Sequence, residues 1–180
     1  MAVTVVATPG AADANSFATV AEITAYYEAR VPIEVADEWV EATPNEKAAA
    51  AVMATLWITS LIEWTGYPTS TTQSLPWPRT GMLKRSELEY VPDTEVPQEV
   101  KNLQAELARV LLGTDRLSEN DIQANAITYL RAGPVTLKFS DTKSASGLGV
   151  IPEPFFNLLV PSWYENLFGV KSPNIELERA

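Results

Sequence analysis

The chain has 180 residues with 13 basic and 23 acidic side chains, a formal charge of −10, and 46% hydrophobic residues. That is enough apolar material for one packed domain and argues against wholesale disorder. It contains neither Cys nor His, which excludes disulfides, thiolate metal sites, a cysteine nucleophile and any His-dependent triad or zinc site. The reading is therefore of a non-enzyme with no catalytic, metal or cofactor residues. The acidic balance also disfavours a general grip on nucleic acid, which needs clustered Lys and Arg.

Met1–Ala18 holds no Lys or Arg, so no signal-peptide pattern opens the chain. The longest apolar stretch, Ala48–Trp64, is broken by Thr55, Thr59, Ser60 and Glu63, too short and too polar for a membrane span. These features predict a soluble, unprocessed product made in the cytoplasm, without a membrane partner.

Residues 1–18 read as an irregular or extended N-terminal arm. Thr19-Val20-Ala21-Glu22 is a capping box, and Val20, Ile23, Tyr27 and Val31 follow on one stripe before Pro32. Ile33–Glu41 gathers Glu34, Asp37, Glu38 and Glu41 around Trp39. Without the glycine-turn spacing of a calcium loop, this reads as a solvated turn or short helix with Trp39 packed inward. Thr43, Pro44 and Glu46 give the clearest helix start in the chain. Val52, Met53, Leu56, Trp57, Leu61 and Trp64 then form a wide apolar face, which predicts a central core helix.

Gly66–Gly81 reads as a long loop containing Leu75-Pro76-Trp77-Pro78-Arg79-Thr80-Gly81. The prolines stiffen the backbone on both sides of Trp77. Such a loop either anchors a core or presents a contact surface. Arg79, Lys84 and Arg85 follow Trp77 with no acid before Ser86. An aromatic beside Arg and Lys can stack a base and neutralise a phosphate; the same residues can equally be a solvated loop bridged to nearby Glu. The carboxylate pairs Glu87/Glu89 and Asp93/Glu95 fall in a charged connection where solvated carboxylates are expected.

A third long helix is expected over Pro97–Leu112, with Val100, Leu103, Leu107 and Val110 inward and Gly113 as a left-handed cap. The period then changes. Ile127–Leu130 and Val135–Phe139 read as strands separated by Gly133-Pro134. Ser140–Gly149 reads as flexible, and its Ser146-Gly147-Leu148-Gly149 is a weak glycine motif without strand-turn-helix context. Pro152–Val160 is expected to form a short helix with Phe155, Leu158 and Leu159 inward. Ser162–Glu165 is another capping-box match, expected to open a last helical turn or two. The fold class is mainly α: a small helical bundle with a β-hairpin or short strands and extended terminal arms. The domain spans 19–169 with a strand insertion near 127–140, and 170–180 is a C-terminal tail.

Several segments together resemble a family of small phage proteins often labelled DnaT-like single-stranded DNA-binding protein, to which head-to-tail connector proteins are related. They are Ala21–Arg30, the Ala-rich helix through Trp64-Thr65-Gly66, Leu75–Gly81, Val96–Lys101 and Gly133–Phe139. The Trp-Pro-Arg-Thr-Gly segment carries most of the likeness. The chain departs from the family in having Lys47 as its one basic residue between Arg30 and Arg79.

The resemblance implies a structural adaptor in the virion neck, forming a homo-oligomeric ring of about a dozen subunits. The ring would join the portal protein to a tail, stopper or terminator protein, and DNA would pass through its lumen without specific binding. By the same analogy the tail docks on the portal, with Lys171, Asn174, Ile175, Leu177 and Arg179 as contact candidates. The alternative is a single-stranded DNA-binding protein that uses Trp77, Arg79, Lys84 and Arg85.

Overall fold

The computed structural model describes residues 2–31, 37–113, 129–132, 135–138, 151 and 153–167. Among these residues four α-helices dominate: α1 (Val20–Glu28), α2 (Asp37–Glu41), α3 (Pro44–Leu61) and α4 (Gln98–Gly113). Three two-stranded antiparallel pairs accompany them among the described residues. β1 (Ile62–Trp64) pairs with β6 (Tyr164–Leu167), β2 (Tyr67–Pro68) with β3 (Arg79–Thr80), and β4 (Tyr129–Ala132) with β5 (Val135–Lys138). The mainly α expectation with small β elements therefore holds.

Both expected capping boxes form. The Glu22 carboxylate accepts from Thr19 N–H at 2.7 Å, and Thr19 Oγ1 accepts from Glu22 N–H at 3.2 Å. Thr43 and Glu46 repeat the arrangement at the start of α3, with Pro44 in the first turn. Each cap satisfies backbone donors that a helix start would otherwise leave unpaired, worth about 1 kcal/mol. Ile23 and Tyr27 of α1 are buried, but α1 ends before Val31, which is exposed. Trp39 packs inward from α2, as expected, and its indole N–H donates to Thr24 Oγ1 at 3.1 Å.

The core lies where α3 crosses α4. Val100, Leu103 and Leu107 of α4 are fully buried, and α3 meets them with Ala50, Ala51, Ala54, Thr55 and Ile58. This reverses the expected face of α3. The helix turns its small residues inward and leaves Met53 and Leu56 exposed, with Val52, Trp57 and Leu61 half-buried. Small side chains let two helix backbones approach closely, and the polar link at the crossing needs that approach: Gln104 Nε2 donates to Ala51 O at 2.9 Å and to Ser16 Oγ at 2.6 Å. Trp64, expected on the same helix, instead belongs to β1. Gly113 is the last helical residue and not a left-handed cap: its φ is not positive.

The N-terminal segment has no regular structure, as expected, yet it is fastened to its own domain. Phe17 and Ala18 are buried, Asn15 N–H donates to Val6 O at 2.9 Å, and Ser74 Oγ donates to Ala14 O. The hairpin expected around Gly133-Pro134 is present as β4–β5, with Leu130 opposite Leu137. In place of the short helix expected over Pro152–Val160, Glu153–Leu158 is a 3-10 helix. Phe156 is buried in it and Leu159 and Val160 are buried just after it, while Phe155 and Leu158 are half-buried.

The helix expected after Ser162 is not there. Pro161–Trp163 is one 3-10 turn, and Tyr164–Leu167 runs on as β6 beside β1. The long-range ladder to Ile62–Trp64 takes the backbone groups that a helix would have used internally. Ser140–Gly149 and 170–180, with the portal-docking candidates Lys171, Asn174, Ile175, Leu177 and Arg179, lie outside the described residues.

Candidate nucleic-acid interface

The four residues proposed for single-strand contact lie on the segment between β1 and α4. Its geometry begins with Gly66, which turns the chain from β1 into β2 at φ +65°. A Cβ there would sit 2.4 Å from Thr80 O and 2.8 Å from Met82 Sδ, so both the conformation and the space require glycine. The turn brings Trp64, Thr65 and Gly66 against the Leu75–Gly81 loop, whose Trp77–Pro78 peptide bond is cis.

Trp77 is 1% exposed and forms the middle of an indole cluster. Its ring centroid lies 5.4 Å from that of Trp64, edge to face, and 5.3 Å from that of Trp163. Both distances suit favourable aromatic pairs. Met82 and Ile151 are buried in the same core. Of the two readings left open for this loop, the structure gives the core anchor: no face of Trp77 is offered to a stacking base.

Arg79 is 7% exposed. Its Nε donates to Thr65 O at 2.7 Å, Nη1 to Pro76 O at 3.0 Å, and Nη2 to Gly66 O at 2.9 Å and Trp64 O at 3.3 Å. The guanidinium thus ties the end of β1 to the proline loop. Burial pulls its pKa below the usual arginine value. Its fixed fork of donors suits such a ring of carbonyls in a way a lysine would not.

Lys84 and Arg85 stay at the surface. Lys84 Nζ lies 2.7 Å from Glu89 Oε2, and this partner raises the Lys84 pKa and lowers that of Glu89. Arg85 Nη2 donates to Leu159 O at 3.0 Å and Leu158 O at 3.3 Å, holding the end of the 3-10 helix Glu153–Leu158. Nearby, Trp163 Nε1 donates to Leu83 O at 2.5 Å. The four residues therefore share one neighbourhood but not one surface: Trp77 and Arg79 face the interior, Lys84 and Arg85 the solvent. The carboxylates Glu87, Glu89, Asp93 and Glu95 are exposed beside them.

Sequence reasoning missed a second polar centre. Glu106, 3% exposed on α4, accepts from Tyr26 Oη at 2.6 Å, pairs with Arg30, and lies 3.9 Å from Arg109 Nη2. Arg109 also reaches Glu38 at 3.5 Å. Glu106 thereby joins α1 to α4, and Arg109 joins α4 to α2. Its sequence signal, an acid inside the apolar stripe of α4, could have found it. Removing one partner of a buried pair typically costs about 3–5 kcal/mol, so this network specifies how three helices meet. Among the described residues no cluster of carboxylates has the makings of a metal site, and no helix is long and apolar enough to cross a membrane.

No curated protein and no solved structure gives a significant match to the chain. The family model described as "Putative DnaT-like ssDNA binding protein" matches residues 1–161. That span takes in α1 to α4, the tryptophan loop and the 3-10 helix Glu153–Leu158, and the chain belongs to this family.

Proposed function

We propose that the protein is a structural subunit of the tailed-phage neck, an adaptor whose ring joins the portal to a tail component while DNA passes through the lumen. The observation that carries this reading is the inward placement of Trp77 and Arg79. The aromatic–arginine pair best suited to hold a single strand is part of the protein's own core, on a chain of formal charge −10. An acidic conduit wall repels the DNA it guides and does not retain it. The lack of His and Cys fits a role without chemistry. The residues Lys171, Asn174, Ile175, Leu177 and Arg179 are the portal-docking candidates, on the analogy of a terminal segment that orders against its partner. Electron microscopy of the protein mixed with its portal tests the reading. A ring seated on the portal is expected, and a bare portal sinks it. Unchanged attachment after deletion of 170–180 would remove the docking role of the tail.

The family description favours a second reading, single-stranded DNA binding. On this fold it would rest on Lys84 and Arg85, the members of the set left at the surface. Phosphate contacts of that kind weaken steeply with salt. Anisotropy of a labelled oligonucleotide at low and high salt discriminates. Micromolar, salt-sensitive binding that disappears in a Lys84→Ala, Arg85→Ala double variant would favour this reading over the adaptor.

A further inference from the structure

One charged residue in five is the average for this chain, yet the 31 residues from Ala48 to Pro78 contain a single one, Glu63. A long uncharged stretch is ordinary when it is buried. Here a large part of it is outside. Met53 and Leu56 of α3 are 40% and 58% exposed, and Ser60 continues the same face at helical spacing. Just beyond, an open groove of about 490 Å³ is lined by Thr59, Tyr67, Pro68, Leu75 and Pro76 with neighbouring Ser, Thr and Gln residues. Tyr67 stands 78% exposed at that groove, and Thr59 belongs to both helix and groove, so the two are continuous.

We infer that this uncharged face, the outer side of α3 with the groove beside Tyr67, is the seat of a second copy of this chain. Charge selects the occupant. Two chains of −10 repel one another, and they approach closely only through surface that sets no carboxylate against another. A basic protein would be met by carboxylates, and a nucleic acid by Lys and Arg; neither the exposed part of α3 from Ala49 to Ser60 nor the groove lining holds either type. The polar groups present are Ser, Thr, Gln and Tyr, each of which donates and accepts and so can serve against a copy of itself.

The helix alone is too small a seat. Ala49–Ser60 is about 18 Å of helix, and at a width of about 10 Å it covers only a part of the roughly 800 Å² that each partner brings to a stable interface. The groove extends the face toward that area. The inference deepens the proposed role as an assembling subunit by naming the surface through which subunits meet.

The absence of cysteine makes the test clean. Single variants Leu56→Cys and Leu88→Cys of the full chain are labelled with a maleimide at protein concentrations from micromolar to millimolar, alongside sedimentation velocity. Leu88, 87% exposed and outside the face, is the control. The sedimenting mass of the wild type should rise with concentration. Labelling of Leu56→Cys should slow about tenfold as most molecules pair, while Leu88→Cys keeps its rate. Leu56→Lys should remain monomeric with unchanged circular dichroism. A wild type that is monomeric throughout overturns the inference, as do equal labelling behaviour of the two cysteines and protection of Leu56→Cys that does not depend on concentration. The labelling rate needs no folding-sensitive substitution, so it decides the matter even if the lysine variant unfolds. A ring on the portal with no self-association through Leu56 would reject this surface and leave the neck role standing. Self-association without a portal ring would do the reverse.

Discussion

Replacing Arg79 with methionine keeps the apolar stem and removes every donor. Four carbonyls, those of Trp64, Thr65, Gly66 and Pro76, then lose their guanidinium partner. A hydrogen bond to a charged group is worth about 1.5–3 kcal/mol, and a buried carbonyl left unpaired costs about 1–3 kcal/mol. The bonds share one side chain and are not additive, and water can reach part of the exposed rim. The expected loss is therefore about 3–4 kcal/mol, at the upper end for a single substitution. In a chain of this size that lowers Tm by about 6–16 °C.

Urea titration followed by tryptophan emission reads the effect directly, because Trp64, Trp77 and Trp163 surround the site. The midpoint should fall with the slope unchanged. Arg79→Lys should recover little, since one ammonium cannot reproduce the fork. An Arg79→Met protein with wild-type stability that has lost affinity for an oligonucleotide would refute the structural assignment of this residue.

Gly66→Ala places a methyl 2.4 Å from Thr80 O in a left-handed backbone; a loss of about 2–4 kcal/mol is expected in the same urea titration, and a neutral variant would mean the β1–β2 turn is not as described. Acid should weaken the fold at the α1 cap. Burial pushes the Glu22 carboxyl up, but Lys101 and Thr19 more than offset it and hold its pKa below the usual 4.5. A carboxylate with a depressed native pKa stabilises the fold above its unfolded pKa, and that contribution disappears as pH falls through the native value. Urea midpoints should thus hold from neutral pH down to about the ordinary carboxylate value and decline below it, with a shallower decline in Glu22→Gln; parallel curves for the two proteins would reject the assignment.

Local signals in the sequence were legible wherever neighbours along the chain decide the outcome. Thr19/Glu22 and Thr43-Pro44/Glu46 marked two helix starts to the residue, and the stripe Val100, Leu103 and Leu107 marked the buried side of α4. The orientation of α3 was not legible, because a helix apolar on all sides has no periodic contrast to point inward. Packing distance decided it, and alanine prevailed over leucine and methionine. Ser162–Glu165 carried a valid helix signature and became a strand, because its partner Ile62–Trp64 lies about a hundred residues earlier in the chain; no local window contains that information. The candidate site was half legible. Sequence gathered Trp77, Arg79, Lys84 and Arg85, and they are neighbours in space. Whether an arginine meets phosphates or backbone carbonyls depends on where the turn at Gly66 puts those carbonyls, and composition is silent on that.

The pairing of β1 with β6 changes where this protein can be cut. The family match stops at residue 161, but Trp163 and β6 lie beyond it and close the core around Trp77. A fragment trimmed to the match would keep α1 to α4 and lose the strand that covers Ile62–Trp64. It would present a bare sheet edge and an uncapped indole, both invitations to aggregate. A piece that folds as described must therefore reach at least Leu167, a few residues beyond the family outline.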